Sequence, residues 1–307
     1  MSSPQIPSLN CPRSTVRLLS PAKVNLSLRI VGRRPDGYHL IDSIMVPISL
    51  YDELVVGTTL GATDSQNPAV RMTSNADAAP GGPTNLAYRA AAAFVAAVGR
   101  IMTVSIDLDK RIPIGSGLGG GSSDAATVLL ALNRLCGRPL ALPRLLELAT
   151  AVGADIPFFV QGRAARVRGI GERVAPLVDP CDLVLVVCWD RRPLSTQAVY
   201  AGFDASLTTV QPLSNIATSA GSRGPYSEVL VNDLEAAAAR IHPGILAVKA
   251  RLLDHGAMGA LMSGSGSAVF GVWPDWEGAR ATAERLRTEG LWAEAVRTLA
   301  VSPAVSE

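Results

Sequence analysis

The run Pro113-Ile114-Gly115-Ser116-Gly117-Leu118-Gly119-Gly120-Gly121-Ser122-Ser123 packs five of the chain's 28 glycines between positions 115 and 121. Glycine has no Cβ, so such a backbone adopts conformations closed to other residues and approaches a ligand closely. Behind the loop, Ala125, Val128, Leu129 and Leu132 fall at helical spacing, which predicts a helix over residues 122–135. A helix start leaves N–H groups unpaired and carries a partial positive charge. Glycine loop plus helix start is an anion site, and phosphate is its usual guest. Ser122 and Ser123 cap the helix in this reading, or offer hydroxyls to phosphate or metal.

The familiar phosphate loops fit poorly. Gly115, Gly117 and Gly120 satisfy G-x-G-x-x-G, but a dinucleotide fold also needs an acidic residue about 20 positions on, after a second strand. Glu147 is the nearest such acid beyond that distance, and it lies in an amphipathic run. A Walker A loop ends in Lys then Ser or Thr, and this loop has no lysine. A protein-kinase glycine loop would be followed by its own strand lysine, which is missing here.

Outward from the loop, residues 16–30, 38–49 and 53–58 read as strands, joined by a turn at Arg33-Arg34-Pro35-Asp36-Gly37. Val104, Ile106 and Leu108 alternate as another strand, and a short one is expected around Val70. Thr84 reads as the cap of an Ala-rich helix over residues 85–98, and residues 143–152 read as a further helix. The second half mixes strand-like runs at 164–168, 182–188, 257–262 and 268–273 with helical runs at 196–202, 233–241, 245–254 and 277–289. Residues 1–14 are expected to be a loose terminus, and the Ser/Thr/Gly-rich stretch 205–224 a long loop. Length and pattern predict two domains, divided as 1–165 and 166–307.

Composition narrows the chemistry. The 307 residues carry 28 basic and 26 acidic side chains, a net charge of +2, too balanced for binding nucleic acid by phosphate neutralisation. No apolar run approaches the roughly 20 residues of a membrane helix, and no signal-peptide pattern opens the chain. Cys11, Cys136, Cys181 and Cys188 form no CxxC pair and no zinc spacing, as expected of buried thiols in a cytoplasmic protein. No protein partner is predicted. Lysine occurs only at Lys23, Lys110 and Lys249, against 25 arginines, and histidine only at His39, His242 and His255. Read alone, Lys23 fits a solvated edge strand, Lys110 a solvated strand end, and Asp155 a turn cap.

Three segments together change that reading. Pro21-Ala22-Lys23-Val24-Asn25-Leu26, the glycine loop, and Met262-Ser263-Gly264-Ser265-Gly266-Ser267 resemble the three motifs of the GHMP kinases, the galacto-, homoserine, mevalonate and phosphomevalonate kinases. Pro35-Asp36-Gly37-Tyr38-His39 and Gly153-Ala154-Asp155-Ile156-Pro157-Phe158-Phe159 resemble the member acting on a cytidine diphosphate-linked methylerythritol in non-mevalonate isoprenoid synthesis. The resemblance spans about residues 16–297. It implies an α+β two-domain kinase, with an N-terminal domain like ribosomal protein S5 domain 2 and a ferredoxin-like C-terminal domain. Both ligands would share the cleft between them.

The resemblance implies ATP on residues 113–123, with Asn85 near the adenine, and Lys23 and Asp155 as the catalytic pair. It places His39 and Tyr38 at the cytosine, with Tyr200 on the opposite face and Phe203 as competitor. Asn25, Thr196, Gly264 and Ser265 are further substrate contacts. Magnesium is implied with the nucleotide, and Ser123, Asp124 and Asp155 are the open choices of ligand. His242 and His255 show no partner pattern. A mevalonate or homoserine kinase, or a non-catalytic metabolite-binding member, are the competing readings.

Overall fold

The computed structural model describes residues 14–60, 69–77, 79, 81–99, 101–178, 182–203 and 230–306. The expectations for residues 1–13 and for 205–224, and those for Cys11 and Cys181, lie outside these. The strand pattern expected at residues 16–30 extends to one long strand, β1 (Ser14–Arg33), and the two expected next fuse into β2 (His39–Leu60). β1 and β2 form an antiparallel hairpin whose register shifts at Pro21/Ala22, Asn25/Ser27 and Ile30/Gly32. Those irregularities absorb the bend that two separate strands were expected to make.

β3 (Val70–Ser74) and β4 (Met102–Asp109) extend the sheet beyond β2, while β5 (Ala165–Gly169) pairs with another part of β2 and β6 (Arg173–Pro176) pairs with β5. The two-residue strand β8 (Val231–Asn232) adds to β1 in parallel. This sheet therefore draws on both sides of the expected 165/166 division. Helices α1 (Leu86–Val98), α2 (Gly120–Leu135), α3 (Leu142–Val152) and α4 (Ile156–Gln161) accompany it. The cap of α1 is Asn85, not Thr84: its side chain accepts the N–H of Ala87 at 2.9 Å.

The second sheet holds β7 (Val184–Trp189), β9 (Ala260–Met262), β10 (Val269–Trp273) and β11 (Trp292–Arg297), all antiparallel, in the order β11-β7-β10-β9. Numbered along the chain this is 4-1-3-2, the ferredoxin-like arrangement expected. Its helices are α5 (Thr196–Ala201), α6 (Glu235–Ile241), α7 (Gly244–Asp254) and α8 (Trp276–Thr288).

Alternation along β1 joins the two units. Ala22, Val24 and Leu26 pack into one apolar cluster with Leu185, Val187 and Phe270 of the second sheet. Past the irregularity at Asn25/Ser27, Leu28 and Ile30 enter the other cluster, with Val128 and Leu129 of α2. Residues Ser20 to Leu28 are all buried, so β1 is covered on both faces. Lys23 and Asn25, alternating with the apolar residues, lie opposite the second-sheet cluster.

Candidate active site

A cleft of about 1160 Å³ runs past the glycine loop and is lined from both units. Of the expected site residues, Lys23, Asn25, Tyr38, His39, Asn85, residues 113–122, Asp155, Thr196, Tyr200, Gly264 and Ser265 all line it. Ser123 does not: it is fully buried, and its hydroxyl accepts from Ser20 Oγ at 2.8 Å. One helical position separates it from Ser122, which turns it from the cleft into the core.

The loop runs into α2 as expected, but the cap is Gly119, left-handed at φ 75°, and not Ser122 or Ser123: the helix starts earlier, so both serines lie inside its first turn. Gly117 stands at φ 82°, and a Cβ there would lie 2.3 Å from the Ser263 carbonyl oxygen. The third motif thus presses its backbone directly on the loop. Ala268 N–H donates to the Ser116 carbonyl at 2.9 Å, and Leu194 N–H to that of Gly115 at 3.1 Å. On the other side, Lys23 N–H donates to the Leu118 carbonyl at 2.9 Å.

Lys23 is only 3% exposed, and its Nζ donates to Asn25 Oδ1 and to the Gly117 carbonyl, both at 2.6 Å. Asn25 Nδ2 in turn donates to Ser43 Oγ at 2.8 Å, so Asn25 holds Lys23 as well as lining the cleft. Burial lowers the Lys23 pKa, and the charge of Asp155 opposes that shift. Asp155 precedes α4 yet makes no capping bond with its side chain. The carboxylate is therefore left facing the cleft, which removes the turn-cap reading.

At the end of the cleft beside the β1–β2 turn, Tyr38 is 61% exposed. His39 lies 5.1 Å from the Tyr200 ring and 5.9 Å from that of Phe203, so both aromatics serve the same corner. Burial, then the charge of Arg33, lowers the His39 pKa. Burial raises that of Tyr200, with Asp155 adding to the shift. Thr196 and Ser265, both of the second unit, share a hydroxyl hydrogen bond of 2.8 Å.

Sequence reasoning missed two supports. Asn232, buried, donates to the carbonyls of Met262 and Gly264 at 2.8 and 2.7 Å and fixes the third motif. Lys110 is no solvated strand end: its Nζ is bound by Asp52, and by Asp124 at 3.0 Å, with all three side chains nearly inaccessible. Asp52 also accepts the N–H groups of Arg111 and Ile112 at 2.6 and 2.8 Å, fixing the approach to the loop. A lysine among few, three residues before the proline that opens the loop, was the available signal. His242 is likewise paired and buried, its Nε2 2.5 Å from Asp190 Oδ2.

Comparison with known proteins supplies the family. The GHMP kinases N terminal domain matches residues 85–163, and the GHMP kinases C terminal domain residues 214–290. A 4-diphosphocytidyl-2-C-methyl-D-erythritol kinase of Geobacter sp. (strain M21) is 42% identical over 285 residues, covering 92% of this chain and 99% of its own. The chain belongs to the GHMP kinases. As a member of that family it is a small-molecule kinase. The enzyme of the same name from Symbiobacterium thermophilum is 43% identical over 91% of this chain and 98% of its own. A crystal structure of 4-(cytidine 5'-diphospho)-2C-methyl-D-erythritol kinase superposes on this GHMP kinase with a TM-score of 0.78, at 40% identity, covering 92% and 99% of the two chains. Homoserine kinase from Cytophaga hutchinsonii, 18% identical, shares the fold with a TM-score of 0.70 over 98% and 99%. Among the described residues no helix is long and apolar enough to cross a membrane.

Proposed function

We propose that this GHMP kinase transfers the γ-phosphoryl group of ATP to the 2-hydroxyl of 4-diphosphocytidyl-2-C-methyl-D-erythritol, giving the 2-phosphate and ADP. The observation that carries the reading is one cleft holding the glycine loop, the buried Lys23 and the uncapped Asp155. Phosphoryl transfer depends mainly on alignment and charge neutralisation. The loop and the start of α2 supply N–H donors for the triphosphate. Asn85, at the start of α1, borders the adenine end.

The acceptor is an alcohol, protonated at neutral pH, and Asp155 takes its proton as the bond to phosphorus forms. Lys23 steadies the oxygen as charge develops on it and the phosphoryl group in flight. Asn25 and the Gly117 carbonyl fix the ammonium. A neutral His39 has one ring N–H and one bare nitrogen, which match the donor and acceptor edges of cytosine. Tyr38 and the aromatic corner of Tyr200 and Phe203 enclose the base, and Gly264, Ser265 and Thr196 border the tetrol.

The residues present fit magnesium. The Ser122 hydroxyl lines the cleft at the loop's end and has no hydrogen-bond partner among the described residues. Magnesium keeps most of its water and needs few protein ligands beside phosphate. Ser122 and the triphosphate would hold it, and it would supply charge neutralisation. The test offers magnesium-ATP with the cytidine-linked tetrol, mevalonate or homoserine, and measures ADP release. Release with the tetrol alone is expected. Release only with mevalonate or homoserine, or with none of the three, overturns the reading.

A further inference from the structure

The cleft charges leave one cation uncommitted. Its cationic lining residues are Lys23, Arg33 and Lys110, and its acidic ones Asp36, Asp124 and Asp155. Lys23 is buried and engaged, and Lys110 is neutralised by Asp52 and Asp124. Asp36 pairs with Arg34 at 2.7 Å, on the turn. Arg33 has no carboxylate partner among the described residues. It stands exposed at the end of β1, opposite His39 in the hairpin register. Its Nε donates to the Gly37 carbonyl at 3.1 Å, which anchors the guanidinium at the acceptor end and leaves both terminal nitrogens free.

A nucleoside diphosphate ester brings about two negative charges beside its base. The glycine loop is occupied by the donor triphosphate, so it does not serve these. A guanidinium fork matches two phosphate oxygens at once, and an exposed arginine pays little desolvation to do so. We propose that Arg33 binds the diphosphate of the acceptor, and so makes the kinase select a cytidine diphosphate ester over the bare nucleoside or an unlinked tetrol. This rests on the acceptor proposed above.

The test is calorimetry on the full chain, its loop saturated with magnesium and a non-hydrolysable ATP analogue. CDP and cytidine are titrated into the unaltered protein, Arg33→Met and Arg33→Lys. The unaltered protein is expected to bind CDP more tightly than cytidine. In Arg33→Met, CDP binding should weaken by about tenfold or more, as for loss of a charge-assisted hydrogen bond, with cytidine unchanged. Arg33→Lys should recover part of the loss, and added salt should erode CDP binding far less in Arg33→Met than in the unaltered protein. An unchanged ratio of CDP to cytidine affinity in Arg33→Met overturns the assignment of Arg33 alone. No binding of either ligand to the unaltered protein overturns the acceptor reading and Arg33 with it.

Discussion

Replacing Lys110 by Met removes the ammonium between two inaccessible carboxylates, Asp52 at 0% and Asp124 at 2% exposure. Breaking a buried pair from one side costs about 3–5 kcal/mol, because the charge left behind is neither solvated nor paired. Two features place this case at the lower end, about 3 kcal/mol. Asp52 keeps the N–H groups of Arg111 and Ile112. Asp124, its pKa already pushed up to about 7 by burial against the pull of Lys110, can take up a proton. For a chain of 307 residues the loss corresponds to a fall in Tm of about 5 °C. Thermal and urea unfolding at pH 8 measure it. Adding Asp124→Asn to Lys110→Met should restore part of the loss, since one excess charge goes. Asp124→Asn alone should change stability much less, because it leaves Lys110 and Asp52 matched. A Lys110→Met protein within about 1 kcal/mol of the original, or a double variant no more stable than Lys110→Met, would refute the charge argument.

Asp155→Ala and Lys23→Met should each abolish most turnover, at least about a hundredfold, with an unfolding midpoint near that of the unaltered chain for Asp155→Ala. Because burial lowers the Lys23 pKa and the reaction needs the ammonium, activity should fall on the alkaline side below the ordinary lysine range; a profile flat to pH 10 counts against it. Tyr38→Ala should raise the KM for the cytidine substrate by a factor matching about 1–3 kcal/mol of stacking, while the KM for ATP stays put; equal effects on both would remove the stacking role. Gly117→Ala meets a left-handed backbone and the Ser263 carbonyl, so unfolding should show a loss of at least about 2 kcal/mol.

The elements whose signals are local were legible. The glycine loop, the helix behind it and the alternating strand around Ile106 stand within a residue or two of where pattern placed them. Lys23 and Asp155 came from motif resemblance, since neither position is distinctive by itself. Features that depend on partners far along the chain were hidden. Asp52 meets Lys110 across 58 positions, and Asn232 meets Gly264 across 32, with no periodicity to announce either. The strands β1 and β2 were legible but not their full length: register shifts interrupt the pairing pattern while the chain continues extended through them. The short strands β6 and β8 are defined by pairing alone.

The seams around the glycine loop divide the enzyme's evolvable parts. The loop is tied to β1 through Leu118 and to the second unit through Gly115, Ser116 and Gly117. Any change there must satisfy both units at once, so the loop is the more constrained side of the cleft. The β1–β2 turn has no such double obligation. Arg33 bonds to the Gly37 carbonyl, and Arg34, Asp36 and Tyr38 to one another, all within the hairpin, and these four side chains are exposed. On the proposed reading, a change of acceptor can therefore be tried at that turn without disturbing the glycine loop. One fold can in this way keep a fixed phosphoryl donor while its relatives diverge in the alcohol they accept.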